Sequence, residues 1–88
     1  MTDPRILDAT GAVLAVGDRV HDCIRFKGYP ELSAALVSVH WNYGWRVELR
    51  GPAGPLGAEN FEAHITPDAQ PNTYRAPDLT RITTEETT

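Results

Sequence analysis

The sequence predicts a small all-β domain, and three observations carry that expectation. Apolar residues recur at every second position rather than every third or fourth. The breaks between such runs fall on Gly, Asn, Asp and Pro, and no apolar periodic run is long enough to stand as an independent helix.

The clearest run is Leu36 to Trp41, in which Val37, Val39 and Trp41 share one face and Ser38 and His40 the other. Trp45 to Leu49 repeats the pattern, with Trp45, Val47 and Leu49 set against Arg46 and Glu48. Between the two lies Asn42-Tyr43-Gly44, short enough for a tight hairpin whose positive φ falls to Gly44. An antiparallel pair is expected there, with Val37, Val39, Trp45, Val47 and Leu49 sharing a core with Phe61 and Ile65.

Val20 to Phe26 is also β-rich, and strict alternation puts Val20, Ile24 and Phe26 on one face. Asp22 then points inward, which needs either a bulge or hydrogen bonds from nearby backbone. Earlier in the chain, Ile6-Leu7 and Val13-Leu14 flank Asp8-Ala9-Thr10-Gly11, a hairpin with Gly11 in the left-handed position, and Gly17-Asp18 makes a second turn. Gly51-Pro52-Ala53-Gly54-Pro55 reads as a loop, because its prolines lack amide donors and its glycines favour turns. Leu56 to Ile65 fits either period; a single 3-10 helical turn at Ala58-Glu59-Asn60 feeding a short last strand is the expected solution.

Composition shifts after Ile65. The boundaries expected are a folded domain over residues 1–66 and a Pro/Thr-rich acidic tail over 67–88, flexible or partly docked. Pro67, Pro71 and Pro77 and the closing Thr/Glu run leave few side chains to offset the entropy of ordering it, although Tyr74, Leu79 and Ile82 could dock.

Eighty-eight residues hold one domain. A chain of that size buries somewhat over roughly 60% of its unfolded surface, enough for a small core but not for a deep catalytic cleft. No enzyme and no cofactor are expected. A single cysteine permits no internal disulfide, and neither a secretory leader nor an apolar run long enough to cross a bilayer is visible, so a soluble cytoplasmic setting without a membrane partner is expected. The formal charge is −4, divided evenly: six bases against eight acids over residues 1–66, and two against four over 67–88. Within Arg19 to Arg50 the balance reverses, with Arg19, Arg25, Lys27, Arg46 and Arg50 facing Asp22, Glu31 and Glu48.

The succession Leu14-Ala15-Val16-Gly17-Asp18-Arg19-Val20, a second strand, a hairpin into Trp45-Arg46-Val47-Glu48-Leu49 and then Ala58-Glu59-Asn60-Phe61-Glu62 resembles the small SH3-like barrels, the group that includes KOW and Tudor-type modules. The likeness spans roughly Asp8 to Ile65. It implies a five-stranded SH3-like barrel with an extended C-terminal tail, and binding of RNA, peptides or methylated side chains. Ser33-Ala34-Ala35 stands where the KOW pattern has a glycine, and the basic run beside it is missing. The overall style is also similar to short proteins of actinobacteria and their phages.

Among residue types that could do chemistry, Cys23 and His21 share a strand face, but a thiol nucleophile also needs an oxyanion-stabilising site, and none is indicated. His21, His40, His64 and Cys23 lack the compact spacing that orients two metal ligands, so no metal site is expected. The loop Gly51 to Gly57 lacks the Lys-Ser or Lys-Thr of a phosphate cradle. More informative is the aromatic group Tyr29, Trp41, Tyr43, Trp45 and Phe61. Alternation turns both tryptophans inward, while Tyr29 and Tyr43 fall in loops that would share one mouth of a barrel. The expected binding site is Tyr29, Tyr43 and Trp41 with the bases Arg25, Lys27 and Arg46. Its expected partner is a protein; a nucleic acid held by Arg25, Lys27, Arg46 and Arg50, or a role as a small subunit of a larger assembly, are the alternatives.

Overall fold

A computed structural model describes residues 2–51 and 58–82. Among them the chain is all β, with strands β1 (Arg5–Leu7), β2 (Val13–Leu14), β3 (Arg19–Asp22), β4 (Ala34–Trp41), β5 (Trp45–Gly51), β6 (Glu59–Ala63), β7 (Thr66–Pro67), β8 (Thr73–Arg75) and β9 (Leu79–Ile82). Two sheets form, of strand order β2-β1-β8-β7 and β6-β5-β4-β3-β9. All pairings are antiparallel except β1 with β8. Neither sheet closes into a barrel among the described residues. Both contribute to one core: Ile6 and Leu14 from the smaller sheet, and Val20, Ala34, Leu36, Val47, Leu49 and Leu79 from the larger, with Phe26 and Ala76 from connecting segments.

The central hairpin forms as its alternation predicts, from Trp41 opposite Trp45 to Ala35 opposite Arg50. Val47 and Leu49 are fully buried. Val37 is not, because the register shifts between Leu36 and Ser38. That bulge lets Leu36 face the core and returns Val39 to the same face, leaving Val37 exposed between them. A bulge adds one residue to a strand, so period-two reading through it assigns every position on one side to the wrong face.

β3 is shorter than its composition suggests. Its end is set by Asp22, whose Oδ1 accepts hydrogen bonds from the Ile24 and Arg25 amides, both at 2.9 Å, while the Phe26 amide donates to its carbonyl at 2.9 Å. The inward Asp22 is thus satisfied by backbone, and the chain turns. Ile24 consequently points to solvent, whereas Phe26 swings back into the core. At the front of the chain, Gly11 and Gly17 have φ of 95° and 101° in the two expected turns.

At Ala58-Glu59-Asn60 there is no helical turn: Glu59–Ala63 is a single strand laid along β5, with Phe61 opposite Leu49 and Glu59 opposite Gly51. Five ladder pairs with β5 outweigh the weak local preference for one turn of helix. Of the Gly/Pro loop expected at 51–55, Gly51 is the last residue of β5 and the rest lies outside the described residues.

The tail expected from residue 67, flexible or partly docked, is paired into both sheets as far as Ile82. β8 lies parallel to β1, and β9 pairs with β3 from Arg19–Ile82 to Asp22–Leu79. Leu79 and Ala76 are fully buried and Tyr74 half-buried, while Ile82 remains exposed. The prolines fit this arrangement, since Pro67 lies in the edge strand β7 and Pro77 in a turn, where no ladder amide is required. Residues 83–88 lie outside the described residues.

Candidate functional site

The hairpin joining β4 and β5 ends in three aromatic residues. Asn42, Tyr43 and Gly44 form its turn, closed by the Asn42 amide donating to the Gly44 carbonyl at 2.8 Å. Gly44 takes a φ of 129°, and Tyr43 is also left-handed at 56°. This conformation is uncommon for a residue with a Cβ and projects the tyrosine ring 95% exposed. Trp41 and Trp45, directly opposite across the ladder, meet edge to face with ring centroids 5.6 Å apart and planes at 83°. They lie on the sheet face that carries Val39 and Val47 into the core, but beyond the core's rim. Trp41 is therefore 57% exposed and Trp45 half-buried, which corrects the inward assignment of Trp41.

Arg46 braces this turn. Its Nε donates to the Asn42 carbonyl at 3.0 Å, and its Nη1 lies 3.9 Å from Glu62 Oε1 on β6. Beside the turn is a groove of about 340 Å³ lined by Trp45, Arg46, Glu62, Ala63, His64 and Ile65. Sequence reasoning missed this groove; its only signal was the pairing of β6 with β5, hidden by the ambiguous period of Leu56 to Ile65.

Tyr29, Arg25 and Lys27 sit elsewhere. They belong to the connection between β3 and β4, which enters β4 at Ala34, whereas the aromatic turn follows Trp41. Seven strand steps of ~3.3 Å put those two ends of β4 about 23 Å apart. The shared mouth expected for Tyr29 and Tyr43 is not formed. Instead the Tyr29 amide donates to the Phe26 carbonyl at 2.8 Å, and Phe26 packs edge-on against Phe61, their centroids 6.0 Å apart. Arg25 is held by an ion pair with Glu59, its guanidinium carbon 4.3 Å from the centroid of the Phe61 ring. Lys27 and Tyr29 are exposed beside it. Of the six expected site residues, Trp41, Tyr43 and Arg46 thus converge, and Arg25, Lys27 and Tyr29 form a second group at the far end.

Compared with known proteins, the chain matches no family model, no curated sequence and no solved structure. Cys23 is an exposed thiol whose amide donates to the Asp78 carbonyl at 2.9 Å. His21, two residues before it, is turned to the Leu32 carbonyl, 2.8 Å from its Nδ1, and packs against Phe26. His40 Nδ1 is 2.8 Å from Ser38 Oγ. Among the described residues no three His, Cys, Asp or Glu side chains gather as metal ligands, and no helix is long and apolar enough to cross a membrane.

Proposed function

We propose that this chain is a non-enzymatic protein-interaction domain that presents the hairpin end of Trp41, Tyr43 and Trp45 to a partner protein. The observation that carries the reading is Tyr43, which is almost wholly exposed on a left-handed backbone position. Such a position costs a residue with a Cβ on the order of 1 kcal/mol, and the ring gains no burial in return. Rigid aromatic rings offer contact area at low entropic cost, which makes recognition the physical use that fits. The SH3-like barrel belongs to the same proposal. It is supported by the antiparallel run of β3, β4, β5 and β6, with β9, the last described strand, returning beside β3.

Charge favours a protein over a nucleic acid. Arg25 is paired with Glu59, Arg46 is held by Asn42 and Glu62, and Arg50 donates to Asn60 Oδ1 at 2.8 Å. Glu48 and Glu62 stand directly opposite one another beside these arginines. A phosphate chain following Arg25 and Arg46 would meet the carboxylates of Glu59 and Glu62. Titrating single-stranded oligonucleotides at low and physiological salt tests this choice: weak or absent binding at both is expected. Tight binding at low salt that collapses steeply as salt rises would establish the nucleic-acid alternative instead.

A further inference from the structure

We infer that the outer edge of β6 accepts an extended, basic strand from a partner protein, which would become a sixth strand of the larger sheet. The inference deepens the interaction reading above and rests on it for the existence of a protein partner.

The four sheet edges are unequal. β2 and β7 are two residues long, and β7 contains Pro67, so neither offers a ladder to extend. β9 is longer, but the turn after β1 already occupies its outer side: Asp8 Oδ2 accepts from the Arg81 amide at 2.7 Å, and the Ala9 amide donates to the Leu79 carbonyl at 2.8 Å. β6 has five residues, all paired with β5, and among the described residues no strand or turn bonds to its other side. Backbone donors and acceptors along such an edge can bond an incoming strand, which is the basis of recognition by strand addition.

The side chains of β6 define the class of strand that fits. Glu59 and Glu62 are its charged residues, and Glu62 stands opposite Glu48, a like-charge pair that an added cation would relieve. Arg25 engages Glu59 closely, whereas Arg46 reaches Glu62 only at 3.9 Å, so Glu62 keeps capacity for a further Lys or Arg. A second copy of this chain is disfavoured as occupant. In antiparallel self-pairing about Phe61 each Glu62 would stand opposite the other copy's Asn60, so the second copy would bring no cation to it. At the end of the edge, the groove lined by Trp45, Arg46, Glu62, Ala63, His64 and Ile65 gives a long basic side chain of the incoming strand room beside Glu62.

The probe is a capped eight-residue peptide alternating lysine with valine, compared with its glutamate-for-lysine counterpart and with the same lysine peptide methylated at every backbone amide. Affinity is read by fluorescence anisotropy, and the site by amide hydrogen exchange of the full chain. The lysine peptide is expected to slow exchange within Glu59–Ala63, and both other peptides to bind at least about tenfold more weakly, the effect of losing one well-formed charge-assisted bond. The Glu62→Lys variant should favour the glutamate peptide. Equal binding of the methylated peptide, absence of binding by the lysine peptide, or protection confined to other strands would each overturn strand addition at β6. Should Glu62→Lys fail to fold, the three peptides on the parent chain decide. Edge protection that survives the loss of Trp41 and Tyr43 separates this inference from the hairpin reading, since each can then fail alone.

Discussion

Asp8 and Arg81, 73 residues apart, are joined by a hydrogen bond from the Arg81 amide to Asp8 Oδ2 at 2.7 Å. The other carboxylate oxygen of Asp8 accepts from the Thr10 amide, the Thr10 hydroxyl and the Ala12 amide at 2.7 to 2.9 Å. One buried side chain thus shapes the turn between β1 and β2 and ties that turn to the last described strand. A buried carboxylate is tolerated because donors surround both of its oxygens.

Replacing Asp8 by alanine removes the acceptor for four donors, so Asp8→Ala should cost about 2 to 4 kcal/mol in urea unfolding, more than one ordinary hydrogen bond. The loss should depend on pH. Burial by itself would raise the carboxyl pKa, but the bonds from Arg81, Thr10 and Ala12 outweigh it and hold the group below its ordinary value of 3.8. A carboxylate with a depressed folded-state pKa contributes stability above the unfolded value and loses it as pH falls through the folded one. The gap between parent and Asp8→Ala should therefore be widest near neutrality and narrow below pH about 4. A gap that stays constant to pH about 2 would show that Asp8 acts through packing alone.

Truncation after Thr66 should abolish cooperative unfolding. It removes β8 and β9, and with them Leu79, whose loss from a core by substitution alone typically costs 2–5 kcal/mol, on the order of a small domain's whole stability. Thermal melting followed by circular dichroism decides. A sharp transition retained by the shortened chain would contradict the place of residues 73–82 in the core.

Gly51 packs against β4 so closely that an added Cβ would lie 2.8 Å from the Ala34 Cα and 2.9 Å from the Ser33 carbonyl oxygen. Both are backbone atoms and cannot rotate away. Gly51→Ala should destabilise by about 1 to 3 kcal/mol in urea unfolding, as overpacking in a core does. A cost under ~0.5 kcal/mol would mean that β5 and β4 separate there more easily than this packing implies.

What the sequence makes legible here follows from how local each cause is. The β4–β5 hairpin was readable because alternation and turn residues lie within sixteen positions, and Gly11, Gly17 and Gly44 mark their turns by themselves. Val37 and Trp41 are misassigned because alternation alone does not show where a bulge in the β4–β5 ladder interrupts it or where the rim of the core falls. For residues 66–82 the cause is distance in sequence. Their prolines suggested a tail, yet the partners that order them, Arg5–Leu7, Asp8 and Arg19–Asp22, lie more than fifty residues earlier. The β-forming stretches Thr73-Tyr74-Arg75 and Leu79-Thr80-Arg81-Ile82 were a signal that composition obscured. For the site, Trp41, Tyr43 and Arg46 were found because one turn gathers them. Tyr29, Arg25 and Lys27 were wrongly joined to them, since only the length of β4 separates the two groups.

The aromatic hairpin is proposed to serve recognition rather than folding, and the double variant Trp41→Ala/Tyr43→Gly separates the two roles. Glycine suits the left-handed position of residue 43, and the lost Trp41–Trp45 contact is worth roughly 0.2 to 1 kcal/mol, so the unfolding free energy should change by no more than about 1 kcal/mol. The partner protein captured by the parent chain at physiological salt should bind this variant at least about tenfold more weakly by calorimetry, as removal of two aromatic anchors predicts. Unchanged affinity, or a variant that no longer folds, would contradict the claim and return these rings to a structural role.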